Sequence, residues 1–314
     1  MSAYVSEGTM KKISSWVRDN CRFAQKKDED TKPSYVQWMS SDSKHFFPAA
    51  PVVKELKPGY YAIVQGMEGL FFTKLAMANE DVIKFPQTNS DEVVEEIEKF
   101  WESESAFRDA GIAYKRGMIL YGPPGSGKTS TIKLVIENVV KRGGVVLKFA
   151  RPGEFVSGYT VLREIQPDTP IVCLMEDIDA ILDRCSESDL LNILDGVVPV
   201  DKIVFIATTN YPERLGSRIM NRPSRFDRRF EIGMPNAETR RLYLKRLLGD
   251  KKSDKEIEKW VSDTGGLSLA HLKELFTSVM IIGSAYDDTL ATLKGMKQKI
   301  YSDEYKEEHG MIGG

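Results

Sequence analysis

Cysteine and histidine are scarce in this sequence, with three residues of each among 314. Cys21, Cys173 and Cys185 are an odd number at unrelated spacings, and they follow no metal-binding pattern. This usage disfavours a secreted protein held together by disulfide bonds and is typical of a reducing compartment.

Long apolar runs and an excess of one charge are also missing. No stretch approaches the roughly 18 to 20 apolar residues that cross a bilayer, and residues 1–12 are too polar for the core of a secretory signal. With 44 basic and 46 acidic residues, the net charge is −2. That balance gives no global attraction to nucleic acid or anionic lipid, although a local basic groove stays possible. We therefore expect a cytoplasmic protein without a membrane partner.

Three stretches of the chain differ in pattern. In residues 1–88, short apolar and aromatic runs stand beside glycine and proline breaks, which predicts a small β-rich domain that binds a substrate or partner. Its aromatic side chains fit either a partner surface or an ordinary core. In residues 89–235, apolar strands alternate with helical stripes, which predicts an α/β fold with a parallel sheet sandwiched by helices. Residues 236–314 have a helical pattern and predict a C-terminal lid.

The most specific motif lies between a strand predicted at 117–121 and a helix predicted from 128 to about 140. It has the pattern Gly-x-x-x-x-Gly-Lys-Thr, whose glycines let successive backbone N–H groups point at phosphate oxygens. The helix N-terminus adds the positive end of its dipole. We expect the lysine to reach the β- and γ-phosphates of ATP and the threonine hydroxyl to bind Mg²⁺. The candidate binding residues are Gly122, Pro123, Pro124, Gly125, Ser126, Gly127, Lys128, Thr129 and Ser130.

A second candidate follows the buried strand predicted at 171–175, where Glu176, Asp177 and Asp179 stand close together. Carboxylates at the end of a parallel strand lie in the crevice where such sheets bind ligands. Of Glu176 and Asp177, one would hold Mg²⁺ and the other would orient or deprotonate the attacking water. Asp179 also fits the N-cap of a helix that follows the strand.

Five segments in order resemble the AAA branch of the P-loop ATPases, over about residues 90 to 285. The sequences of these segments are most similar to the mitochondrial chaperone that assembles respiratory complex III, although this chain lacks that chaperone's membrane span. That branch similarly carries Glu-Asp where most AAA proteins carry Asp-Glu. By alignment Glu176 takes the position beside the metal and Asp177 the position that activates water. Because the longer and the shorter side chain are exchanged, it stays open which carboxylate has which role. The five segments are 116–130, 174–180, 190–197, 206–215 and 221–235.

The resemblance implies further site residues. Asn210 matches the residue that senses the γ-phosphate, and a strand-end turn is its simpler alternative. Arg222 and Arg225 match arginine fingers that enter the neighbouring subunit's site. Other arginines crowd this segment, so a solvated basic surface is the alternative there. Fingers that act between subunits require a head-to-tail interface, which can close into a ring, and the resemblance implies six subunits.

The resemblance also places adenine beside Gly111 and Ile112 and a pore-lining loop at residues 151–159. In similar motors an aromatic side chain of that loop grips a protein client. Phe155 or Tyr159 is placed for this role, and packing of Phe155 in the core is the alternative.

We therefore expect a Mg²⁺-dependent ATP hydrolase that assembles into a ring and remodels a protein client selected by residues 1–88. A nucleic-acid motor of helicase or clamp-loader type is one alternative. Those relatives usually have an arginine at the start of the third lid helix, whereas that helix here starts Leu269-Ala270-His271. An ATP-binding assembly factor with little turnover is the other alternative.

Overall fold

The computed structural model describes residues 37–39, 47–49, 52–67, 69–76, 89–196, 200–220 and 225–296. The chain divides into two compact units, Met1–Lys54 and Glu55–Gly314. In the first unit, strands β1 (Gln37–Met39) and β2 (Phe47–Ala49) form an antiparallel ribbon.

The second unit is built on a seven-stranded sheet in the order β4-β3-β6-β7-β8-β5-β9. Within this sheet β3 and β4 pair antiparallel, and the other neighbours are parallel. Every residue of β7 and β8 is buried, as expected for strands covered on both faces. This arrangement confirms the predicted α/β fold. The strands are β3 (Gly59–Gly66), β4 (Gly69–Lys74), β5 (Lys115–Tyr121), β6 (Val145–Lys148), β7 (Ile171–Met175), β8 (Ile203–Thr209) and β9 (Arg228–Glu231).

The helices cover both faces of the sheet and then continue as a helical segment. Apolar side chains form one buried cluster on each face, and the helices after residue 236 have a third cluster of their own. Within the described ranges, every helix is too short or too polar to cross a membrane. The helices are α1 (Asn89–Glu102), α2 (Glu104–Asp109), α3 (Lys128–Lys141), α4 (Pro152–Ile165), α5 (Ile178–Leu182), α6 (Glu187–Asp195), α7 (Ser217–Met220), α8 (Ala237–Leu248), α9 (Asp254–Asp263) and α10 (Leu269–Phe276), and residues 286–296 are also helical.

The domain boundary expected after residue 88 does not agree with the structure. Strands β3 and β4 belong to the same sheet as the later strands, because Gly59–Ala62 pairs in parallel with Val145–Lys148. The side chain of Gln166 also accepts a hydrogen bond from the backbone N–H of Leu56, with 2.8 Å between the two atoms. Alternating apolar residues predict a strand but not its partner, which is why the sequence placed these two strands in a separate domain.

The pore-lining loop expected at residues 151–159 is also wrong. Pro152 stands in the first turn of α4, where its missing N–H costs nothing, and the helix runs on to Ile165. Phe155 is 1% exposed and stacks on Tyr159, which is also buried. The Tyr159 hydroxyl donates to the backbone carbonyl of Asp201 at 2.6 Å. Both aromatic side chains therefore serve the core and are not placed to grip a client.

The burial of Phe155 predicts a stability effect for Phe155→Ala. We expect the substitution to lower the free energy of unfolding by about 3–5 kcal/mol, because it leaves a cavity beside the rings of Phe149, Tyr159 and Phe205. Val161→Ala on the same helix is the control, since Val161 is 38% exposed, and it should cost less than about 1 kcal/mol. Urea unfolding measures both. A Phe155→Ala protein of unchanged stability that loses only client-stimulated activity would restore the pore-loop interpretation.

Candidate functional site

A pocket of about 400 Å³ opens at the carboxyl ends of β5, β7 and β8, between the start of α3 and the helices α8 and α10. It brings together most of the residues predicted from the two motifs. Its lining consists of Pro124, Gly125, Gly127, Lys128, Thr129, Ser130, Ile132, Lys133, Glu176, Asp177, Thr208, Asn210, Tyr243, Leu269, Ala270 and Lys273.

The loop between β5 and α3 has a backbone that only glycine adopts easily. Gly122, Gly125 and Gly127 have φ values of 149°, 72° and 121°, in the region that side chains disfavour. A Cβ on Gly122 would overlap the carbonyl of Ile232, and one on Gly125 would lie 2.6 Å from the Ser268 hydroxyl oxygen. The loop therefore curls tightly between the sheet and the start of α10.

Lys128 is the first residue of α3 and is 8% exposed. Its ammonium donates to the carbonyl oxygens of Gly122 at 2.7 Å and of Pro123 at 3.0 Å, so it lies folded over the loop. Burial lowers the pKa of Lys128, and the carboxylates of Asp177 and Asp179 act in the opposite direction. The site thus holds a buried cation beside two carboxylates.

Glu176 and Asp177 follow β7 directly, and the backbone of Asp177 is strained. Asp177 has φ 50° and ψ 63°, a left-handed conformation that is uncommon for aspartate. Its backbone N–H donates to the Thr208 hydroxyl at 3.0 Å. The next threonine, Thr209, donates through its hydroxyl to Asp179 at 2.8 Å. The ends of β7 and β8 are therefore tied together, and Asp177, not Asp179, is the N-cap residue of α5.

Tyr60, from the antiparallel pair of strands β3 and β4, also lies close to the acidic end of β7. Burial raises the pKa of the Tyr60 phenol above its usual range, and the charge and hydrogen bond of the Glu176 carboxylate add to the effect. Tyr60 belongs to β3, which the sequence assigned to a different domain. This interaction could not be foreseen without knowing that β3 joins the sheet.

The residues present fit a magnesium nucleotide. Ser126 is buried, and its hydroxyl oxygen has no hydrogen-bond partner among the described residues. A buried polar atom without a partner is destabilising, and a phosphate oxygen of a nucleotide bound in the loop would give the Ser126 hydroxyl a hydrogen-bond partner. Thr129 and Glu176 supply a hydroxyl and a carboxylate in the same pocket, which are the hard oxygen ligands that Mg²⁺ prefers.

Other predicted residues are not in the pocket lining. Gly111 and Ile112 lie outside it, and the Ile112 side chain is 61% exposed. Helices α8 and α10 contribute Tyr243, Leu269, Ala270 and Lys273 to the lining. Arg225 is bound within its own chain by Asp195, and Arg222 lies outside the described residues.

The sequence did not predict the lining residues of α8 and α10, because no local motif marks them. Tyr243 and Lys273 follow ordinary amphipathic patterns, and only the packing of α8 and α10 against the loop brings them to the pocket. The sequence does mark Thr208 as a candidate lining residue, because it is a polar residue near the end of a buried strand, two residues before Asn210.

Comparison with known families identifies the central segment. Residues 118–234 match the model of the ATPase family associated with various cellular activities, AAA. This range contains the acidic pair, Asn210 and the whole of the loop, so the site lies within the part of the chain that is similar to this family.

Three curated proteins illustrate the similarity. The ATP-dependent zinc metalloprotease FtsH of Aster yellows witches'-broom phytoplasma (strain AYWB) is 26% identical over 277 residues, which is 80% of this chain and 40% of that protein. The proteasome-activating nucleotidase of Sulfurisphaera tokodaii is 32% identical over 208 residues, or 59% of this chain and 52% of its own length. The proteasome-activating nucleotidase of Methanothermobacter thermautotrophicus is 30% identical over 254 residues, which is 71% of this chain and 61% of that protein. The chain therefore spans only about two to three fifths of these relatives.

Proposed function

We propose that this chain, whose residues 118–234 form an AAA ATPase domain, hydrolyses ATP with Mg²⁺ in an oligomeric ring and uses the energy to remodel a protein client. One observation carries the proposal. The same pocket is lined by the loop residues Lys128 and Thr129 together with Glu176, Asp177 and Asn210.

Each side chain has a role that follows from its position. The glycine-rich backbone and Lys128 bind the β- and γ-phosphates, and the start of α3 adds its positive dipole end. Bound Mg²⁺ neutralises phosphate charge, and Thr129 and Glu176 would hold it. Asp177 orients and deprotonates the attacking water, and Asn210 donates a hydrogen bond to that water or to the γ-phosphate.

The Glu176–Asp177 order supports a place near the branch of the mitochondrial respiratory-complex-III assembly chaperone. The carboxylate nearer the water is then an aspartate, one methylene shorter than the usual glutamate. The strained backbone of Asp177 and its N–H bond to Thr208 fix where this shorter side chain starts. A shorter side chain held in place supports water activation by Asp177.

A protein client is the best supported substrate of the motor. The relatives are named as an ATP-dependent protease and as proteasome-activating nucleotidases, and the net charge of −2 offers no general attraction to nucleic acid. The lid helix α10 begins at Leu269 and has no arginine in its first turn, where nucleic-acid motors of this family usually have one. Residues 1–54 form a separate unit, which we assign to client selection.

The proposed function predicts how the ATPase rate of the full chain responds to added polymers. With Mg·ATP present, phosphate release should rise severalfold with an unfolded protein such as reduced casein and should not respond to single-stranded DNA. Size-exclusion chromatography with light scattering should show an oligomer in the presence of ATP. Stimulation by single-stranded DNA alone would overturn the protein-remodelling proposal, and absence of any ATP hydrolysis would overturn the enzymatic one.

A further inference from the structure

Asp179 has no role in the proposed chemistry, although it lies only two residues after Asp177. It stands in the first turn of α5 and does not line the pocket. Its Oδ1 accepts a hydrogen bond from the Thr209 hydroxyl, with 2.8 Å between the two oxygen atoms. Thr209 is the last residue of β8 and is 0% exposed. The bond therefore joins the turn that follows the acidic pair to the buried end of the neighbouring strand.

The Thr209 hydroxyl makes a second hydrogen bond at the same time. It accepts from the backbone N–H of Tyr211, with 2.9 Å between nitrogen and oxygen. A hydroxyl has one proton to donate and two lone pairs that accept, so the bonds to Asp179 and to Tyr211 are compatible. The bond to Asp179 is stronger than one between neutral groups when the carboxylate is charged. One buried hydroxyl thus spans Asn210, because it belongs to the residue before it and binds the residue after it.

The chain on the far side of Asn210 is fixed as well. The carbonyl of Tyr211 accepts from the backbone N–H of Arg214 at 3.0 Å, which closes a short turn over Pro212–Arg214. The Arg214 guanidinium lies over the Tyr211 ring, 4.2 Å from its centroid. Leu215 then enters the core cluster and is 4% exposed. Asn210 therefore lies between a buried strand end and a closed turn.

Side-chain alternation decides which residues of this segment face the nucleotide. Successive side chains of a strand point to opposite faces. Thr208 and Asn210 line the pocket, whereas Thr209 between them points to Asp179. The backbone N–H of Asp177 is bound to the Thr208 hydroxyl, so the end of β8 is bound to the acidic segment on both of its faces. Asn210 is thus held at a set position relative to Asp177.

We propose that Asp179 and Thr209 are positioning residues, which hold the side-chain amide of Asn210 toward the γ-phosphate or the attacking water by fixing the main chain on both sides of it. This inference rests on the proposed function, in which Asn210 makes that contact. The amide can act only if it lies at the correct distance from a water that Asp177 also binds, and a displacement of about 1 Å can cost on the order of 10²-fold in rate. The bond between Asp179 and Thr209 sets that distance, because Asp179 and Asp177 share one turn of α5.

Substitutions that remove this hydrogen bond should lower kcat and leave nucleotide binding intact. Thr209→Val and Asp179→Ala should each reduce kcat for ATP hydrolysis by about 10- to 10²-fold, with less than about threefold change in KM, because neither residue lines the pocket. Thr209→Ser keeps the donor and Asp179→Asn keeps an acceptor, so both should retain kcat within about fivefold. Asp179→Asn also removes the negative charge that acts on Lys128. A loss as large as that of Asp179→Ala would show that this charge and not the hydrogen bond matters, which overturns the inference.

Thr264→Val is the matched control. Thr264 is also 0% exposed, and its hydroxyl donates to the backbone carbonyl of Trp260 at 2.6 Å. Its substitution should lower the melting temperature while kcat stays unchanged, since Thr264 follows α9 and does not line the pocket. An equal fall of kcat in the Thr264→Val protein would mean that lost stability explains the effect of Thr209→Val, and it would overturn the inference.

A double-mutant cycle with Asn210→Ala shows through which residue Thr209 acts. Two substitutions that act through one group are not additive, so in the Asn210→Ala background Thr209→Val should lower kcat further by less than about twofold. A loss as large as in the unmodified background would show that Thr209 acts on another part of the site, and the inference would then be wrong.

Hydrogen exchange separates this inference from the proposed function. Loss of its acceptor should make the Tyr211 amide exchange at least about tenfold faster in the Thr209→Val protein, which mass spectrometry of a peptide covering residues 207–215 measures. Unchanged exchange in that protein would overturn the inference. If the unmodified chain hydrolyses no ATP, the proposed function fails by itself, and faster exchange would still support the arrangement that holds Asn210. If the Thr209→Val protein does not fold, Asp179→Ala carries the same measurements, because Asp179 is only partly buried.

Discussion

Lys128→Ala is expected to abolish nucleotide binding and to reduce the rate of ATP hydrolysis by about 10²- to 10³-fold or more, as is typical when one preorganised electrostatic group is removed from a transition state. The reason is the position of the ammonium. It is buried against the loop carbonyls of Gly122 and Pro123, where no other side chain of the loop carries a positive charge.

The low exposure of Lys128 increases the effect. Charges interact more strongly away from bulk water, so a buried lysine stabilises phosphate far more than a surface lysine would. Isothermal titration with a non-hydrolysable ATP analogue and a phosphate-release assay measure binding and turnover separately. Lys141→Ala is the matched control, because Lys141 ends the same helix with a side chain that is 76% exposed.

Two results would contradict the assignment of the loop. Unchanged affinity for ATP in the Lys128→Ala protein would mean that the nucleotide binds elsewhere. An equal loss in the Lys141→Ala protein would mean that the helix had been disturbed. The melting temperature of both variants should be recorded, because removal of the two hydrogen bonds of Lys128 also changes the stability of the loop.

Asp177→Asn is expected to separate binding from chemistry. The substitution keeps the size of the side chain and removes its basicity, so ATP should still bind while hydrolysis falls by about 10²- to 10⁴-fold, the contribution usual for a general base. The variant should therefore hold ATP and, with it, any client that binds the ATP-loaded form. Single-turnover hydrolysis and retention of labelled ATP on a desalting column measure the two effects.

The comparison with Glu176→Gln settles the division of labour between the two carboxylates. If Glu176 lies on the metal side, its substitution should raise the Mg²⁺ concentration needed for half-maximal activity, whereas Asp177→Asn should lower the maximal rate at every Mg²⁺ concentration. The reverse pattern would exchange the two roles. Asp183→Asn is the control, because Asp183 is a carboxylate at the other end of the short helix that Asp177 begins.

The sequence by itself determined the parts of the site whose chemistry lies within a few consecutive residues. The loop from Gly122 to Thr129 needs glycines at set positions, and those positions are where the backbone has positive φ. The acidic residues come directly after a buried strand, and parallel strands end at one edge of a sheet. The order of strands and motifs along the chain was therefore enough to place Glu176, Asp177 and Asn210 beside Lys128.

Only the tertiary structure decided which distant segments meet. The pairing of β3 with β6, the ion pair between Asp195 and Arg225, and the packing of Ser268 on Gly125 each join segments that are far apart along the chain. Strand pairing and ion pairs leave no periodic trace in the sequence, because any apolar strand or any opposite charge satisfies the same local pattern. Arg225 therefore matched a finger by its motif, and the partner that fixes it became apparent only when helix α6 was in place.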